Sequence, residues 1–210
     1  MIKLDNITYQ YPQGAIPVIH GFTDSFQQGM ITAVSGKNGC GKTTLTKILA
    51  GVLRPSEGSV TIDGNDTAYM NLFEIGQCIG YVFQNPNRQL FCDTVFNEIA
   101  YGLINLGMTA DQVEREVSFF LKLFGLTQYR ETYPGKLSLG EKQRLALAAV
   151  IALGTDYLVL DEPTTGLDML RQSELGNILT KLKQEKNLGI VIATHSSDFI
   201  MRYADRELVM

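Results

Sequence analysis

The stretch Gly36-Lys-Asn-Gly-Cys-Gly-Lys-Thr43 matches the pattern G-x-x-x-x-G-K-[ST] at every fixed position. Glycines in such a run let successive backbone N–H groups converge on phosphate oxygens, and the start of a following helix adds a partial positive charge. The Lys42 ammonium suits terminal phosphates, and the Thr43 hydroxyl suits Mg²⁺. The stretch therefore predicts a loop that binds the phosphates of a nucleotide, made of Gly36, Lys37, Asn38, Gly39, Cys40, Gly41, Lys42, Thr43 and Thr44.

The residues on either side of this loop indicate a strand before it and a helix after it. Residues 30–35 form a short apolar run, residues 43–50 have helical character, and Gly51 is well placed to end the helix. A glycine-rich turn can match the pattern by chance. The order of strand, loop and helix favours the phosphate site.

A second candidate site lies at Leu158-Val-Leu-Asp161-Glu162, where a buried-strand pattern ends in two carboxylates. A buried carboxylate is costly unless a cation or a hydrogen-bond donor is near. Asp161 is predicted to help hold Mg²⁺, and Glu162 to act as general base toward a water beyond the γ-phosphate. The competing interpretation is an acidic strand end that caps a neighbouring helix, and the phosphate loop in the same chain disfavours it.

Apolar runs at residues 157–161 and 188–193 indicate further buried strands, and helices lie between the strands. Such alternation favours an α/β fold with a parallel sheet covered on both faces. The helical stretch at 86–153 is predicted to be a lobe inserted into a core formed by 1–85 and 154–210. Its amphipathic stripes, predicted to pack in a core, are Val95, Phe96, Ile99, Ala100 and Leu103, then Val113, Val117, Phe120, Leu121 and Phe124.

Composition excludes several classes of protein. The formal net charge of −4 disfavours a general nucleic-acid binder, and three cysteines provide no disulfide framework. The longest apolar run, 145–153, is too short to cross a bilayer, which takes roughly 20 residues. A membrane role is therefore expected to come through a partner, and no nucleic-acid partner is expected.

The segment Leu137-Ser-Leu-Gly-Glu-Lys-Gln-Arg144 resembles the signature of ATP-binding cassette (ABC) proteins, LSGGQ or LSGGE followed by basic and amide residues. Leu139 stands where the family has its first paired glycine. In that family the segment binds the γ-phosphate held by the opposite subunit, which would assign this contact to Ser138 and Gly140. Ser138 and Glu141 also have capping-box spacing, so a well-capped helix is the competing interpretation.

Other short motifs follow in the order of the same family. The resemblance implies that Gln84 contacts Mg²⁺ and the attacking water, that Asp168 lies in a loop crossing the dimer interface, and that His195 reaches the γ-phosphate. It also implies that Tyr11 stacks on the adenine. Tyr9 is the competitor, because alternation places both rings on the same strand face.

The run Phe83-Gln-Asn-Pro-Asn-Arg-Gln-Leu-Phe91 is similar to the ATPases of energy-coupling factor importers, which move vitamins, cobalt or nickel. Asn87 and Arg88 depart from the common text of that group. Leu90, Phe91 and Tyr101 are predicted to receive a helix of the membrane partner. The competing interpretation is that Leu90 and Phe91 fill the core of the lobe.

The resemblance implies one domain over residues 1–210, with a P-loop NTPase core of ABC type, a small antiparallel β subdomain and the inserted helical lobe. It implies an ATPase subunit, peripheral on the cytoplasmic face of the membrane. Such a subunit pairs head to tail with a second ATPase chain, alike or different, and binds an integral membrane transporter. The alternative is a non-transport ABC ATPase in DNA maintenance or translation, or a regulator without turnover, against which Glu162 and His195 argue.

Overall fold

The computed structural model describes residues 1–12 and 16–210. Its strands are β1 (Ile2–Tyr9), β2 (Ile19–Phe26), β3 (Ile31–Ser35), β4 (Glu57–Ile62), β5 (Asn65–Asp66), β6 (Ile79–Val82), β7 (Tyr157–Asp161), β8 (Gly189–Ala193) and β9 (Arg206–Val209). Its α-helices are α1 (Lys42–Leu49), α2 (Leu72–Cys78), α3 (Val95–Asn105), α4 (Ala110–Leu123), α5 (Leu139–Ala152), α6 (Met169–Lys186) and α7 (Ser197–Tyr203).

The strands form two sheets. A four-stranded antiparallel sheet has the order β2-β1-β4-β5, and a five-stranded parallel sheet has the order β6-β7-β8-β3-β9. In the parallel sheet Ala193 aligns with both Val34 and Asp161, so the carboxyl ends of β3, β7 and β8 meet at one edge. This arrangement confirms the predicted α/β core and the small antiparallel subdomain.

The element flanking the phosphate loop begins and ends close to its predicted bounds. Helix α1 ends at Leu49, and Gly51 beyond it has a φ of 69°, in the left-handed region that glycine adopts without strain. Strand β1 ends at Tyr9. Tyr11 therefore lies beyond the strand, although alternation predicts both tyrosine rings on one strand face. Pro12 lacks an N–H and restricts the residue before it, so the ladder does not continue there.

Buried side chains form two apolar clusters on opposite faces of the parallel sheet. One contains Val34, Leu45 and Val191 and joins α1 to the antiparallel sheet. The other contains Val82, Leu160 and Ile192 and extends without interruption into helices α3, α4 and α5. The helical region and the sheet therefore share one core, and the division at residues 86 and 153 stays a prediction.

The helical region packs as its amphipathic stripes predict. All members of the two stripes are buried except Phe96, which is half-buried beneath the Arg130 guanidinium at 4.1 Å from the ring centroid. Helix α4 starts with a capping box of Thr109 and Gln112, whose spacing of three residues is typical of that motif. In the two described ranges, no helix combines the length and hydropathy needed to span a membrane.

Candidate nucleotide-binding site

The glycine-rich loop connects β3 to α1 and depends on backbone angles that only glycine adopts freely. Gly36 has a φ of 144° and Gly41 a φ of 109°. A Cβ on Gly36 would lie 2.7 Å from Cys40 Sγ and 2.8 Å from the Met210 carbonyl oxygen. The loop is thus closely packed on its inner side, with the Cys40 sulfur turned toward Gly36, while Lys37, Asn38 and Gly39 are exposed.

Lys42 lies under this loop with its ammonium already engaged. Its Nζ donates to the carbonyl oxygens of Gly36 at 3.0 Å and Lys37 at 3.3 Å, and lies 3.8 Å from Glu162 Oε1. The side chain is 7% exposed. A buried ammonium needs such partners, so the lysine is held between the loop and the acidic end of β7.

Thr43 and Asp161 meet at the end of β7. The Thr43 hydroxyl donates to Asp161 Oδ1 at 2.9 Å, which brings together two oxygen ligands of the kind Mg²⁺ prefers. Burial raises the pKa of the Asp161 carboxyl; the Thr43 hydrogen bond lowers it, and the Glu162 charge raises it further. A cation at these oxygens would favour the ionised carboxylate.

Glu162 follows directly after β7 in a strained backbone conformation. Its φ is 50°, in a region that costs a non-glycine residue energy and often occurs at active sites. The backbone N–H of Glu162 donates to the Ala193 carbonyl oxygen at 2.8 Å, and Oε2 lies 2.9 Å from His195 Nδ1. Since a carboxylate only accepts, Nδ1 carries the proton in this contact.

Lys42, Thr43 and Glu162 open onto one cleft of about 490 Å³. The cleft is lined by Tyr11, Val18, Asn38, Gly39, Gly41, Lys42, Thr43, Thr44, Gln84 and Glu162. Tyr11 is 37% exposed at its edge, whereas Tyr9 is buried and touches Tyr11 edge to face. Of the two tyrosines, only Tyr11 presents a surface to a ligand. The structure thus gathers most of the predicted nucleotide residues in one place.

Gln84 lies at the boundary between this cleft and a second one lined by Thr43, Asp161, Leu139 and Gln143. Sequence reasoning missed how its loop is held. Gln89 accepts a hydrogen bond from Phe83 N–H at 3.1 Å and donates to the Tyr81 carbonyl at 3.4 Å. The Gln89 side chain was visible in the sequence, but its partners are backbone atoms that no residue pattern indicates.

Ser138, Gly140 and Asp168 lie outside the nucleotide cleft of their own chain. The Ser138 hydroxyl and the Glu141 carboxylate form the predicted capping box of α5, and Gly140 lies behind it beside Leu167. Asp168 caps α6 by accepting from Arg171 N–H at 2.8 Å. Ser138 and Asp168 are exposed.

Comparisons with known proteins also indicate a nucleotide-binding protein. Residues 19–165 match the family described as ABC transporter. The energy-coupling factor transporter ATP-binding protein EcfA of Methanothermobacter thermautotrophicus is 40% identical over 212 residues, covering 100% of this chain and 68% of its own length.

Two solved structures are similar over the whole chain. CbiO1 of Clostridium perfringens, described as part of the ABC transporter complex CbiONQ, has a TM-score of 0.89 and 33% identity and is covered to 84%. The ATP-binding cassette MJ0796, described as a dimer in a post-hydrolysis state with ADP and Pi, has a TM-score of 0.91 and 27% identity and is covered to 94%.

Proposed function

We propose, since the chain belongs to the ABC transporter family of ATP-hydrolysing subunits, that it powers an energy-coupling factor importer of a vitamin or a metal ion. The finer assignment is supported by the relative named for an energy-coupling factor transporter and by the similar structure described as part of a transporter complex. The structural observation that carries it is an exposed aromatic pair, Phe91 and Tyr101, on the helical region.

The aromatic pair is rigidly supported. The two rings touch edge to face with centroids 5.0 Å apart, and Phe91 is 68% exposed. The buried Glu98 carboxylate accepts from the backbone N–H groups of Phe91 and Cys92 at 3.0 and 2.8 Å, which fixes the loop. Leu90 is instead half-buried against the core, which fits the core interpretation for that residue, whereas Phe91 stays exposed and available to a partner. A fixed, exposed aromatic pair suits an apolar helix of a membrane partner.

ATP binding follows from the loop and Lys42. Backbone N–H groups at the start of α1 face the cleft and would receive the phosphates. The Lys42 ammonium would exchange its two carbonyl partners for terminal phosphate oxygens, which are stronger acceptors because they are charged. The exposed ring of Tyr11 would stack on the adenine.

Mg²⁺ fits the oxygen donors at the end of β7. Thr43 and Asp161 would hold it, and Gln84 lines the same cleft as these two residues. A bound Mg²⁺ would neutralise charge on the phosphates during transfer. The 2.9 Å hydrogen bond between Thr43 and Asp161 keeps both ligands at one point before any cation arrives.

Glu162 would act as the base. Its carboxylate borders the cleft beyond Lys42, and the contact to His195 Nδ1 holds one of its oxygens. The other oxygen would accept a proton from water as it attacks the γ-phosphate. His195, 61% exposed in its side chain, would reach toward that phosphate from the end of β8.

A second ATPase chain would complete the site. Ser138, Gly140 and Asp168 lie outside the nucleotide cleft of their own chain, and the first and last are exposed. In a head-to-tail pair, the start of α5 from one chain would meet the γ-phosphate on the other, where its N–H groups favour an anion. The pair would act at the cytoplasmic face of the membrane through the Phe91–Tyr101 surface.

The test is affinity capture of the tagged chain from solubilised native membranes. We expect an integral membrane protein to co-purify, and Phe91→Asp to reduce its recovery at least tenfold. Phe119→Asp, at another exposed phenylalanine of the helical region (54% exposed), is the matched control and should leave recovery unchanged.

The same capture separates the proposal from its alternative. Recovery of DNA-repair or ribosomal factors without any membrane protein would favour a non-transport ATPase. Equal recovery with Phe91→Asp and wild type, both folded by circular dichroism, would remove the docking role from the aromatic pair.

A further inference from the structure

We infer that Gln172 on α6 is a positioning residue, which fixes the loop after Glu162 relative to the loop that carries His195. The inference rests on the proposed roles of Glu162 and His195 in hydrolysis. Gln172 belongs neither to the phosphate loop nor to the acidic end of β7. It contacts the loop after Glu162 and the loop that carries His195.

The two loops are first joined beneath the site by a pair of threonines. Thr164 follows Glu162 by two residues, and Thr194 directly precedes His195. Their hydroxyl oxygens lie 2.8 Å apart, and the side chains are 3% and 0% exposed. A hydrogen bond between hydroxyls at this depth is costly to break, because neither group can turn to water instead.

Gln172 makes the second connection between the same loops. Its Nε2 donates to the Leu167 carbonyl oxygen at 3.0 Å, and its Oε1 accepts from the Ser196 hydroxyl at 3.2 Å. One amide thus contacts the loop after Glu162 with its donor and the loop after His195 with its acceptor.

Backbone groups close these contacts into a ring. Ser196 N–H donates to the Thr194 hydroxyl at 3.2 Å, and Leu167 N–H donates to the Thr164 carbonyl oxygen at 3.2 Å. The ring starts at Gln172 and passes through Leu167 and Thr164. It then crosses to Thr194 and returns through Ser196 to Gln172. A closed ring resists displacement of either loop more than separate bonds would.

The ring matters most for His195, because among the described residues its side chain hydrogen-bonds only to Glu162. Its imidazole is 61% exposed, and its hydrogen bond to Glu162 depends on where the backbone of its loop lies. Glu162, 9% exposed in its side chain, sits in a strained backbone conformation that its surroundings must maintain. Loss of the Gln172 contacts would let the two side chains drift apart.

The variant Gln172→Met tests this, since it keeps the length of the side chain and removes both hydrogen bonds. We expect kcat for ATP hydrolysis to fall about tenfold, because a misplaced catalytic group loses much of its rate advantage, while the dissociation constant for Mg-ATP stays within about twofold. Gln172→Glu keeps the oxygen that accepts from Ser196, so its kcat should fall less than that of Gln172→Met. Gln184→Met, an exposed glutamine on the same helix, is the matched control and should match wild type.

A double-mutant cycle with His195→Ala shows whether Gln172 acts through the histidine. Single-turnover hydrolysis of radiolabelled ATP should be equally slow in His195→Ala and in the double variant, since the second change has nothing left to position. An undiminished tenfold loss in the double variant would overturn the inference.

Two further outcomes would also overturn it. One is wild-type kcat in Gln172→Met; the other is a parallel loss of Mg-ATP affinity and melting temperature, which indicates a structural role only. If Gln172→Met does not fold, Gln172→Glu carries the same comparison. The proposed function is judged separately, because wild-type turnover in His195→Ala would remove the role of His195 whatever Gln172 does.

Discussion

The nucleotide cleft and the start of α5 are the two regions proposed to contact phosphate, and they differ in how their side chains are held. In the cleft, Lys42, Thr43, Asp161 and Glu162 are held by partners within the same chain. At the start of α5, Ser138 is exposed, and among the residues that the structure describes its side chain is engaged only with its capping-box partner Glu141. The first region is preorganised, whereas the second leaves its helix end exposed at the surface.

The difference between the two regions shows which site residues one chain holds in position by itself. Every buried side-chain nitrogen or oxygen in the described residues has a hydrogen-bond partner, so the cleft is maintained without ligand. The helix end of α5 is likewise self-sufficient through its cap. In the proposed pair, the start of α5 would contribute to catalysis only when a second chain brings a phosphate to it. Mutations in the two regions should therefore have different effects.

The largest effect is expected at the preorganised region. Glu162→Gln keeps the shape of the side chain but cannot accept a proton, and loss of a general base typically costs about 10²–10⁴ in rate. Steady-state phosphate release should fall by that factor, while Mg-ATP binding measured by calorimetry should persist.

Glu174→Gln is the control for this change, because it exchanges a partly exposed carboxylate that pairs with Arg171 instead. Near wild-type turnover in Glu162→Gln would assign the base to another group and would undo the contrast between the two regions.

An intermediate effect is expected at the start of α5. In the Glu162→Gln background, trapped Mg-ATP should hold two chains together, and light scattering should show a dimer that is absent without nucleotide. Adding Ser138→Arg should keep the chain monomeric by placing a bulky side chain where the partner's nucleotide would lie, with ATP binding retained. Ser118→Arg, on the exposed face of α4, should still dimerise.

Failure to dimerise with Glu162→Gln alone would indicate a different ATPase chain as partner. A Ser138→Arg protein that dimerises like the Ser118→Arg control would exclude the start of α5 from the interface.

The smallest effect concerns the cap itself. Hydrogen bonds from Tyr129 and Ser138 lower the pKa of the Glu141 carboxyl to about 2. Because the folded-state pKa lies below the ordinary value, this carboxylate stabilises the fold above about pH 4.5 and loses that contribution as the pH falls toward about 2. Glu141→Gln should therefore melt roughly 1–3 °C below wild type at pH 6.

That difference in melting temperature should narrow at pH 3.5, as scanning calorimetry can measure. A gap that stays constant between the two pH values would mean that the ionised form of Glu141 does not support the cap.

Much of the fold and of the cleft could be predicted from local sequence, because local chemistry determines them. A phosphate loop of this kind is rich in glycine in any fold, and the apolar run before Asp161 has the pattern of a buried strand. The capping boxes at Thr109 and Ser138 rest on residues three positions apart. These signals lie within a few residues of the atoms they position.

Other features depend on contacts between distant segments, and the sequence could not indicate them. Gln172 and Ser196 are polar residues of a common kind, and the packing of α6 against the loop after β8 makes them partners. The sequence also left Tyr9 and Tyr11 as alternatives. Burial distinguishes them, because Tyr9 packs beneath its neighbour and leaves Tyr11 at the surface.

The apolar core shared by the parallel sheet and helices α3 to α5 has a mechanical consequence. A lobe joined by a flexible linker would swing freely and absorb force, whereas close-packed interiors resist compression and transmit strain. Displacement of the Phe91–Tyr101 surface must shear this core by sliding helices over the sheet, a motion of small amplitude. In the proposed transporter, a short movement at the cleft would therefore reach the aromatic pair with little loss, because the helical region is packed too closely to deform.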